Sequence, residues 1–175
     1  ISEAGFVGMA TGMAMRGMKP VVEIMFGDFV TLAMDQIVNH TSKFRWMYDN
    51  KVDVPMVIRL PMGGRRGYGP THSQSLEKLF LGVPGLRMIA PSVYHDWGKQ
   101  LRRALMETKD SFLFIEHKLS YPKESLAGSA EDGIFNVERG DERSPHISLS
   151  MSIGVPEVTL VCYGHMTEMC KKAAR

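Results

Sequence analysis

The chain has 175 residues, of which 44% are hydrophobic and 23% are charged, and its formal net charge is +2. These values are typical of a globular protein and argue against an intrinsically disordered chain. So small a charge, without a dense run of Lys and Arg, predicts no nucleic-acid partner. No apolar run approaches the roughly 20 residues that cross a bilayer, so no membrane span is predicted. Two cysteines, Cys162 and Cys170, are too few for a disulfide framework and indicate reduced thiols in an intracellular protein.

The first 118 residues alternate between helical and strand patterns. Small residues recur along 5–15 and predict a helix in close contact with a neighbour, ending near Gly17. Asp28 is placed to cap a long helix, and Ser92 to cap a later one. The alternation predicts an α/β fold, a mostly parallel sheet with helices on both faces. The predicted strands are 21–25, 56–60, 87–90 and 112–115, and the predicted helices are 5–15, 28–47, 76–83 and the segment after Ser92.

The pattern changes after Lys118. Residues 119–157 are rich in Ser, Pro, Gly, Glu and Asp, which predicts an inter-domain linker. A strand at 158–163 and a helix from Met166 then predict the opening of a second α/β domain across 158–175. The first domain is therefore expected at 1–118. The chain begins without Met and stops within a helical pattern, so we expect it to be a piece of a longer protein.

Common nucleotide and hydrolase motifs are absent from the sequence. No G-x-x-x-x-G-K-[ST] occurs, and the glycines at 5, 8, 12 and 17 do not form G-x-G-x-x-G. No G-x-S-x-G elbow occurs either, and metal ligands are not clustered. These observations argue against a P-loop, a dinucleotide site and a Ser-His-Asp hydrolase.

Two residues are candidates for chemistry. Glu3 precedes a glycine-rich apolar helix, where a carboxylate is also an ordinary helix-start acid. His72 lies in the loop PMGGRRGYGPTHSQS, where it is either a catalytic group or a solvent-facing histidine. Arg65 and Arg66 of the same loop either bind an anion or form a solvated charged pair. The residues alone leave these alternatives open.

Several motifs in unbroken order resemble one enzyme family. They are ISEAGFVGMATGMAMRGMKPVVEIMFGDFVTLAMDQIVNHTSKFRWMY, VPMVIRLPMGG, GPTHSQSLEKLF, VPGLRMIAPS and FLFIEHKLSYP. Together they resemble the beta subunit of the first component of the 2-oxo acid dehydrogenases, a family that includes the pyruvate, branched-chain and acetoin enzymes. The resemblance covers residues 1–122, and VTLVCYGHM resembles the start of the family's C-terminal domain. It implies a pyrimidine-binding domain of the transketolase type, without the elements that precede the ISE motif in the family.

The resemblance implies thiamine diphosphate as cofactor and assigns residues to it. In this family Glu3 would hydrogen-bond pyrimidine N1′, and Met25 and Phe29 would pack on the ring. His72 would transfer a proton or stabilise charge during decarboxylation and acyl transfer to a lipoyl group. A potassium ion would be held by the main-chain carbonyls of Met56, Ala104, Glu107 and Lys109.

The resemblance also implies partners. The sequence has no G-D-G motif followed by Asn to hold diphosphate and magnesium, and in this family that half-site lies on the alpha subunit. We therefore expect an alpha subunit, a second beta subunit and a lipoyl acyltransferase core, in the bacterial cytoplasm or an organelle matrix. The alternatives are a non-catalytic assembly domain for an alpha-like partner, and a split transketolase-like enzyme that uses aldehyde acceptors. The 2-oxo acid is not specified by the sequence.

Overall fold

The computed structural model describes residues 1–141, 145–151 and 154–174. Its main sheet has four parallel strands in the order β1-β2-β4-β3. In the central pair, Met56 lies opposite Ser111 and Met62 opposite His117. The strands are β1 (Val21–Glu23), β2 (Met56–Met62), β3 (Leu86–Ile89) and β4 (Ser111–His117). All four strands predicted within 1–118 are confirmed, with bounds that differ by one or two residues.

Helices cover both faces of this sheet, which confirms the predicted fold class. Alternate residues of a strand point to opposite faces, and β2 and β4 divide accordingly. Ile58, Leu60 and Leu113 join the core formed with α1 (Glu3–Met15). On the other face, Val57 and Phe112 pack with α3 (Trp97–Met106). Burial of both faces explains why β2 and β4 are nearly continuous apolar runs.

The predicted long helix at 28–47 is broken into three helical pieces. These are a 3-10 helix (Gly27–Ala33), a π-helix (Gln36–Thr41) and α2 (Phe44–Met47). Asp28 is not the cap predicted for this helix, because its carboxylate accepts hydrogen bonds from Gln74. The Thr41 hydroxyl donates to the carbonyl of Gln36 at 2.9 Å, and a hydroxyl that bonds to the main chain within a helix competes with regular α-helical geometry.

Two further local predictions are wrong. Residues 76–83 contain a single 3-10 turn (Glu77–Phe80) in place of an α-helix. Asp96, and not Ser92, caps α3, because its carboxylate accepts from the main-chain N–H of Lys99 at 2.8 Å. Two other 3-10 turns are Pro70–His72 and Lys118–Ser120.

The segment predicted as a linker contains a second sheet. Three antiparallel strands, β5 (Glu131–Asp132), β6 (Phe135–Arg139) and β7 (Ile147–Met151), pair in that order. Val137 of β6 is buried with Val93 and Tyr94, so this sheet is attached to the first domain by apolar packing. Residues 119–157 therefore contain regular structure, while the division into domains, including the linker at 119–157, stays a prediction.

The last part of the described chain is helical, as predicted, but lacks the predicted strand. Helix α4 runs over Met166–Ala173. Residues 158–163 pair with no strand among the described residues, and a segment needs a neighbouring strand to form a ladder. Within 1–141, 145–151 and 154–174, no helix has both the length and the apolar character required to cross a membrane.

Candidate functional site

The candidate site lies at the carboxyl edge of the parallel sheet, where loops from neighbouring strands meet. The glycine-rich loop 63–75 follows β2 and is closed by a hydrogen bond from the Gly63 N–H to the Gln74 carbonyl, at 3.2 Å. It contacts the segment that follows β1 through Phe26 and the segment that follows β4 through Lys118. Three strands therefore contribute to this region.

His72 is held in this loop between two aromatic rings. Its imidazole is edge-to-face with Phe26 and Phe29, at centroid distances of 4.7 and 5.2 Å. The Thr71 hydroxyl lies 2.9 Å from Nδ1. The structure thus brings together two of the residues singled out in the sequence, His72 and Phe29, with an orientation fixed by packing.

Met25 lines a cavity of about 220 Å³ beside this pair. Met25 is 73% exposed, whereas the preceding residue, Ile24, is buried. Arg66 also lines the cavity and Arg65 does not. The remaining lining residues are Glu23, Phe26, Pro61, Tyr68, Lys118 and Tyr121. The cavity therefore combines an apolar wall with charged groups at its rim.

Glu3 lies apart from this cavity, at the first turn of α1. Its side chain is buried. Helix α1 packs against the 3-10 helix that carries Phe29, so the two halves of the candidate site are joined by helix contacts.

A charged network crosses the sheet next to the cavity. Arg59 of β2 makes a bidentate contact with the buried carboxylate of Glu116 on β4, with both distances at 2.8 Å. The same guanidinium donates to Glu23 at 2.6 Å, and the Tyr121 hydroxyl donates to Glu116 at 2.6 Å. The Glu116 bond raises the pKa of Arg59, and burial together with that carboxylate raises the pKa of Tyr121. The network therefore ties β1, β2 and β4 together below the site.

Lys118, which sequence reasoning did not single out, is the main addition. Its ammonium donates to the main-chain carbonyl of His72 at 2.5 Å and lies 5.1 Å from the centre of the Phe26 ring. Burial lowers the pKa of Lys118, and Asp28 opposes that shift. One signal was available: a lysine that directly follows a buried parallel strand stands at the edge of the sheet where ligands bind.

Two histidines are stacked where β4 ends. The rings of His117 and His165 lie 4.4 Å apart and are tilted by 15°. Burial, followed by the charges of His165 and Lys118, lowers the pKa of His117 from 6.5 to about 4, while Glu77 opposes the shift. Burial also lowers the pKa of His165. The pair connects the main sheet to the start of α4 through uncharged rings.

The residues expected to hold potassium lie at the opposite, amino-terminal edge of the sheet. Met56 begins β2 opposite Ser111 of β4. Ala104 and Glu107 are at the end of α3, and Lys109 is in the connection to β4. The Ala104 carbonyl accepts a bond from the Thr108 hydroxyl at 3.1 Å, which leaves it one lone pair for a cation. Their assignment as ligands stays a prediction.

A second groove, but no cluster of metal-binding side chains, lies in the part of the chain that the structure describes. There, no group of three or more His, Cys, Asp or Glu side chains could hold a metal ion. A groove of about 360 Å³ between α1 and β1 is mostly apolar and contains none of the candidate residues. It is lined by Phe6, Met9, Ala10, Met13, Pro20, Val21, Val22 and Glu23.

Comparison with known proteins gives one family. Residues 1–124 match the model of the transketolase pyrimidine-binding domain. The acetoin:2,6-dichlorophenolindophenol oxidoreductase subunit beta of Cupriavidus necator is 34% identical over 99% of this chain and 48% of its own length. The 2-oxoisovalerate dehydrogenase subunit beta of Bacillus subtilis is 31% identical over 99% of this chain and 50% of its own length.

A plant relative extends the comparison. The mitochondrial pyruvate dehydrogenase E1 component subunit beta-1 of Arabidopsis thaliana is 33% identical over 99% of this chain and 46% of its own length. The chain thus spans about half the length of the curated relatives that it matches. All three relatives are named as beta subunits, and their names give three different substrates.

Proposed function

Because the chain belongs to the family of transketolase pyrimidine-binding domains, we propose that it forms the aminopyrimidine half of a thiamine-diphosphate site in a 2-oxo acid dehydrogenase beta subunit. The observation that carries this proposal is the match over residues 1–124, which contains Glu3, Met25, Phe29 and His72. Two of the similar proteins are named as beta subunits of 2-oxoisovalerate and pyruvate dehydrogenases, which supports the same assignment. The 2-oxo acid itself stays open within the proposal.

The chemistry of these residues supports the binding of an aminopyrimidine ring. Met25 is exposed beside the cavity, and Phe29 is half-buried against His72, so a flat aromatic group would find apolar surface there. A buried carboxylate at the start of α1, Glu3, is a suitable acceptor for a protonated ring nitrogen. When bound, the cofactor supplies the electron sink for decarboxylation.

The protein residues then have separate tasks. Glu3 holds a proton at pyrimidine N1′, and Met25 and Phe29 orient the ring. His72, fixed by Phe26 and Phe29, transfers a proton to or from the reacting oxygen on the substrate side. A positioned acid or base of this kind contributes about 10²–10⁴-fold in rate.

We also propose partner subunits, metal ions and a cellular location. An alpha subunit supplies the diphosphate and magnesium ligands, a second beta subunit completes the assembly, and a lipoyl acyltransferase accepts the acyl group. The carbonyls of Met56, Ala104, Glu107 and Lys109 bind potassium. The site of action is intracellular, bacterial cytoplasm or organelle matrix, where free thiols such as Cys162 and Cys170 persist.

The test is Glu3→Gln in the intact subunit, assembled with its alpha partner, thiamine diphosphate and magnesium. We expect decarboxylation of 2-oxo acids, followed with an artificial electron acceptor, to fall by about 10²–10⁴-fold, because the amide cannot hold the N1′ proton as a carboxylate does. Cofactor binding, measured by titration calorimetry, should weaken but persist. Glu138→Gln, an exposed site on β6, is the charge-matched control and should keep full activity.

The other function classes give different results. Full activity of Glu3→Gln contradicts the catalytic role. If the wild-type assembly forms but releases no carbon dioxide from any 2-oxo acid, the chain is a non-catalytic assembly domain. Activity that requires aldehyde acceptors and does not acylate lipoyl groups indicates a split transketolase-like enzyme.

A further inference from the structure

Lys118 is a buried cation that has no task in the proposed function. It directly follows β4, and only 6% of the residue is exposed. A buried ammonium group is costly unless nearby groups compensate for the water that it loses. The groups that surround the Lys118 ammonium and replace its water therefore indicate the role of this lysine in the fold.

Those groups all belong to the surroundings of His72. The Lys118 Nζ donates to the His72 carbonyl at 2.5 Å and faces the rings of Phe26 and Tyr68, at 5.1 and 5.4 Å from their centres. Phe26 is also the ring against which the imidazole of His72 packs, at 4.7 Å. A single ammonium group thus holds the main chain of His72 and the surface that orients its side chain.

A second buried charge holds the other end of the same short segment. The main-chain N–H and side-chain amide of Gln74 both donate to Asp28 Oδ1, at 3.2 and 2.9 Å. Asp28 is buried on the 3-10 helix that also carries Phe29. His72 and Gln74 are therefore fixed by charges from two different elements.

The loop needs such contacts because its own sequence gives little rigidity. Four of its residues are glycine, and Gly63, Gly67 and Gly69 have positive φ values of 88°, 79° and 80°. Glycine adopts many backbone conformations in the unfolded chain, so a loop of this kind is not ordered by its own backbone preferences. Its order has to come from tertiary contacts.

We propose that Lys118 is the positioning residue for His72, holding the loop 63–75 so that the imidazole stays packed against Phe26 and Phe29. This inference rests on the proposed function for its consequence in catalysis, but the contact itself is testable without activity. Lys118 acts through the carbonyl of His72 and the Phe26 ring, and does not bind substrate. Asp28 supports the same segment from its other side.

The test compares Lys118→Met and Lys118→Arg in the intact, assembled enzyme. Hydrogen–deuterium exchange reports on the amides of 63–75, and mass spectrometry after diethyl pyrocarbonate treatment gives the rate of His72 modification relative to His40. For Lys118→Met we expect faster amide exchange in this loop and a several-fold faster modification of His72. Lys118→Arg keeps a donor and a cation over the rings and should restore part of both.

Activity supplies the second readout. A misplaced catalytic group costs up to about 10²-fold in rate, so kcat of Lys118→Met should fall by about 10–100-fold. The matched control is Lys123→Met, which removes an exposed lysine paired with Glu168 at 4.0 Å. Lys123→Met should leave the loop exchange, the His72 modification and kcat as they are in the parent enzyme.

The outcomes separate the two proposals. Unchanged exchange and unchanged His72 modification in Lys118→Met overturn the positioning role. A raised KM for the 2-oxo acid with an unchanged loop also overturns it, because Lys118 then binds the substrate directly. If the wild type releases no carbon dioxide while the loop loosens in Lys118→Met, the structural role stands and the proposed function fails.

Discussion

At the scale of single residues, the strictest steric constraint is at Gly85. Its φ is +79°, and a Cβ atom there would lie 2.0 Å from the main-chain carbonyl oxygen of Ser42. We expect Gly85→Ala to lower the free energy of unfolding by about 2–4 kcal/mol, because backbone strain adds to a clash that no rotamer relieves. Urea denaturation measures the loss.

Gly82 provides the matched control for that substitution. It has nearly the same φ, +81°, but nothing lies within 4 Å of a Cβ atom built on it. Gly82→Ala should therefore cost only the strain of the positive φ, about 1 kcal/mol. Equal losses for the two variants would show that the contact with Ser42 contributes nothing.

Single residues were predictable only where a motif marked them. Glu3 and His72 could be proposed from motifs, and His72 and Phe29 are in contact. Lys118 could not be linked to His72, because the two are 46 positions apart and local patterns do not state which distant side chains meet. Asp28 was predicted to cap a helix but bonds to Gln74 instead, and local patterns could not indicate that distant partner either.

At the scale of elements, the Arg59–Glu116 pair should hold β2 to β4. Glu116 is buried with 4% of its side chain exposed, whereas Arg59 is 30% exposed. We expect Arg59→Met to lower the free energy of unfolding by about 2–4 kcal/mol, less than for a fully buried pair, since it leaves the carboxylate with the Tyr121 hydroxyl alone. Urea denaturation of the subunit at neutral pH gives the value.

The exposed member of the same network is its control. Glu23 is 52% exposed where it pairs with Arg59, so Glu23→Gln should cost no more than about 1 kcal/mol. A loss in Arg59→Met that is no larger than in Glu23→Gln would mean that Glu116 finds water or another partner once the guanidinium is gone.

Elements were predictable in proportion to how much apolar surface they bury. β2 and β4 are covered on both faces, and their apolar runs predicted them. Strand β6 buries only two alternate residues, Phe135 and Val137. The polar composition of the surrounding segment therefore led to the prediction of a linker, although this short alternating pattern is typical of a strand. The helix at 28–47 was predicted from its period, which cannot reveal that Thr41 bonds to the main chain.

At the scale of the whole molecule, the His117–His165 stack makes the attachment of α4 sensitive to pH. Because the pKa of His117 is lowered from 6.5 to about 4 on folding, the unfolded chain binds more protons between these values. The stability that the neutral stack contributes is complete above about pH 6.5 and declines as the pH falls towards 4.

The variant that tests this is His117→Asn. Asparagine can keep an acceptor where the imidazole Nδ1 receives the Leu119 N–H, at 3.2 Å, but it cannot be protonated. We expect the urea midpoint of this variant to fall less steeply than that of the parent between pH 6.5 and 4. Parallel curves would contradict the assignment.

The fold class and the family were predictable because many ordered motifs pointed to them together. Residues 1–124 match the family model, close to the resemblance seen over 1–122. The structure of the later part of the chain could not be predicted. The packing of Val137 on Val93 and Tyr94 depends on contacts between segments that are far apart in the sequence. The prediction of a strand at 158–163 is wrong because this segment has no neighbouring strand among the described residues.

The strand order β1-β2-β4-β3 also determines how this domain has to fold. Each pairing in the main sheet is parallel, and β2 meets β4 across a separation of 55 residues, from Met56 to Ser111. Contacts between such distant segments form slowly, because a long loop must close first. During synthesis on the ribosome, β2 emerges well before β4, and the edge of β2 that pairs with β4 stays unpaired until β4 arrives. Nascent chains of this protein should therefore depend on chaperones until Ser111–His117 has left the exit tunnel.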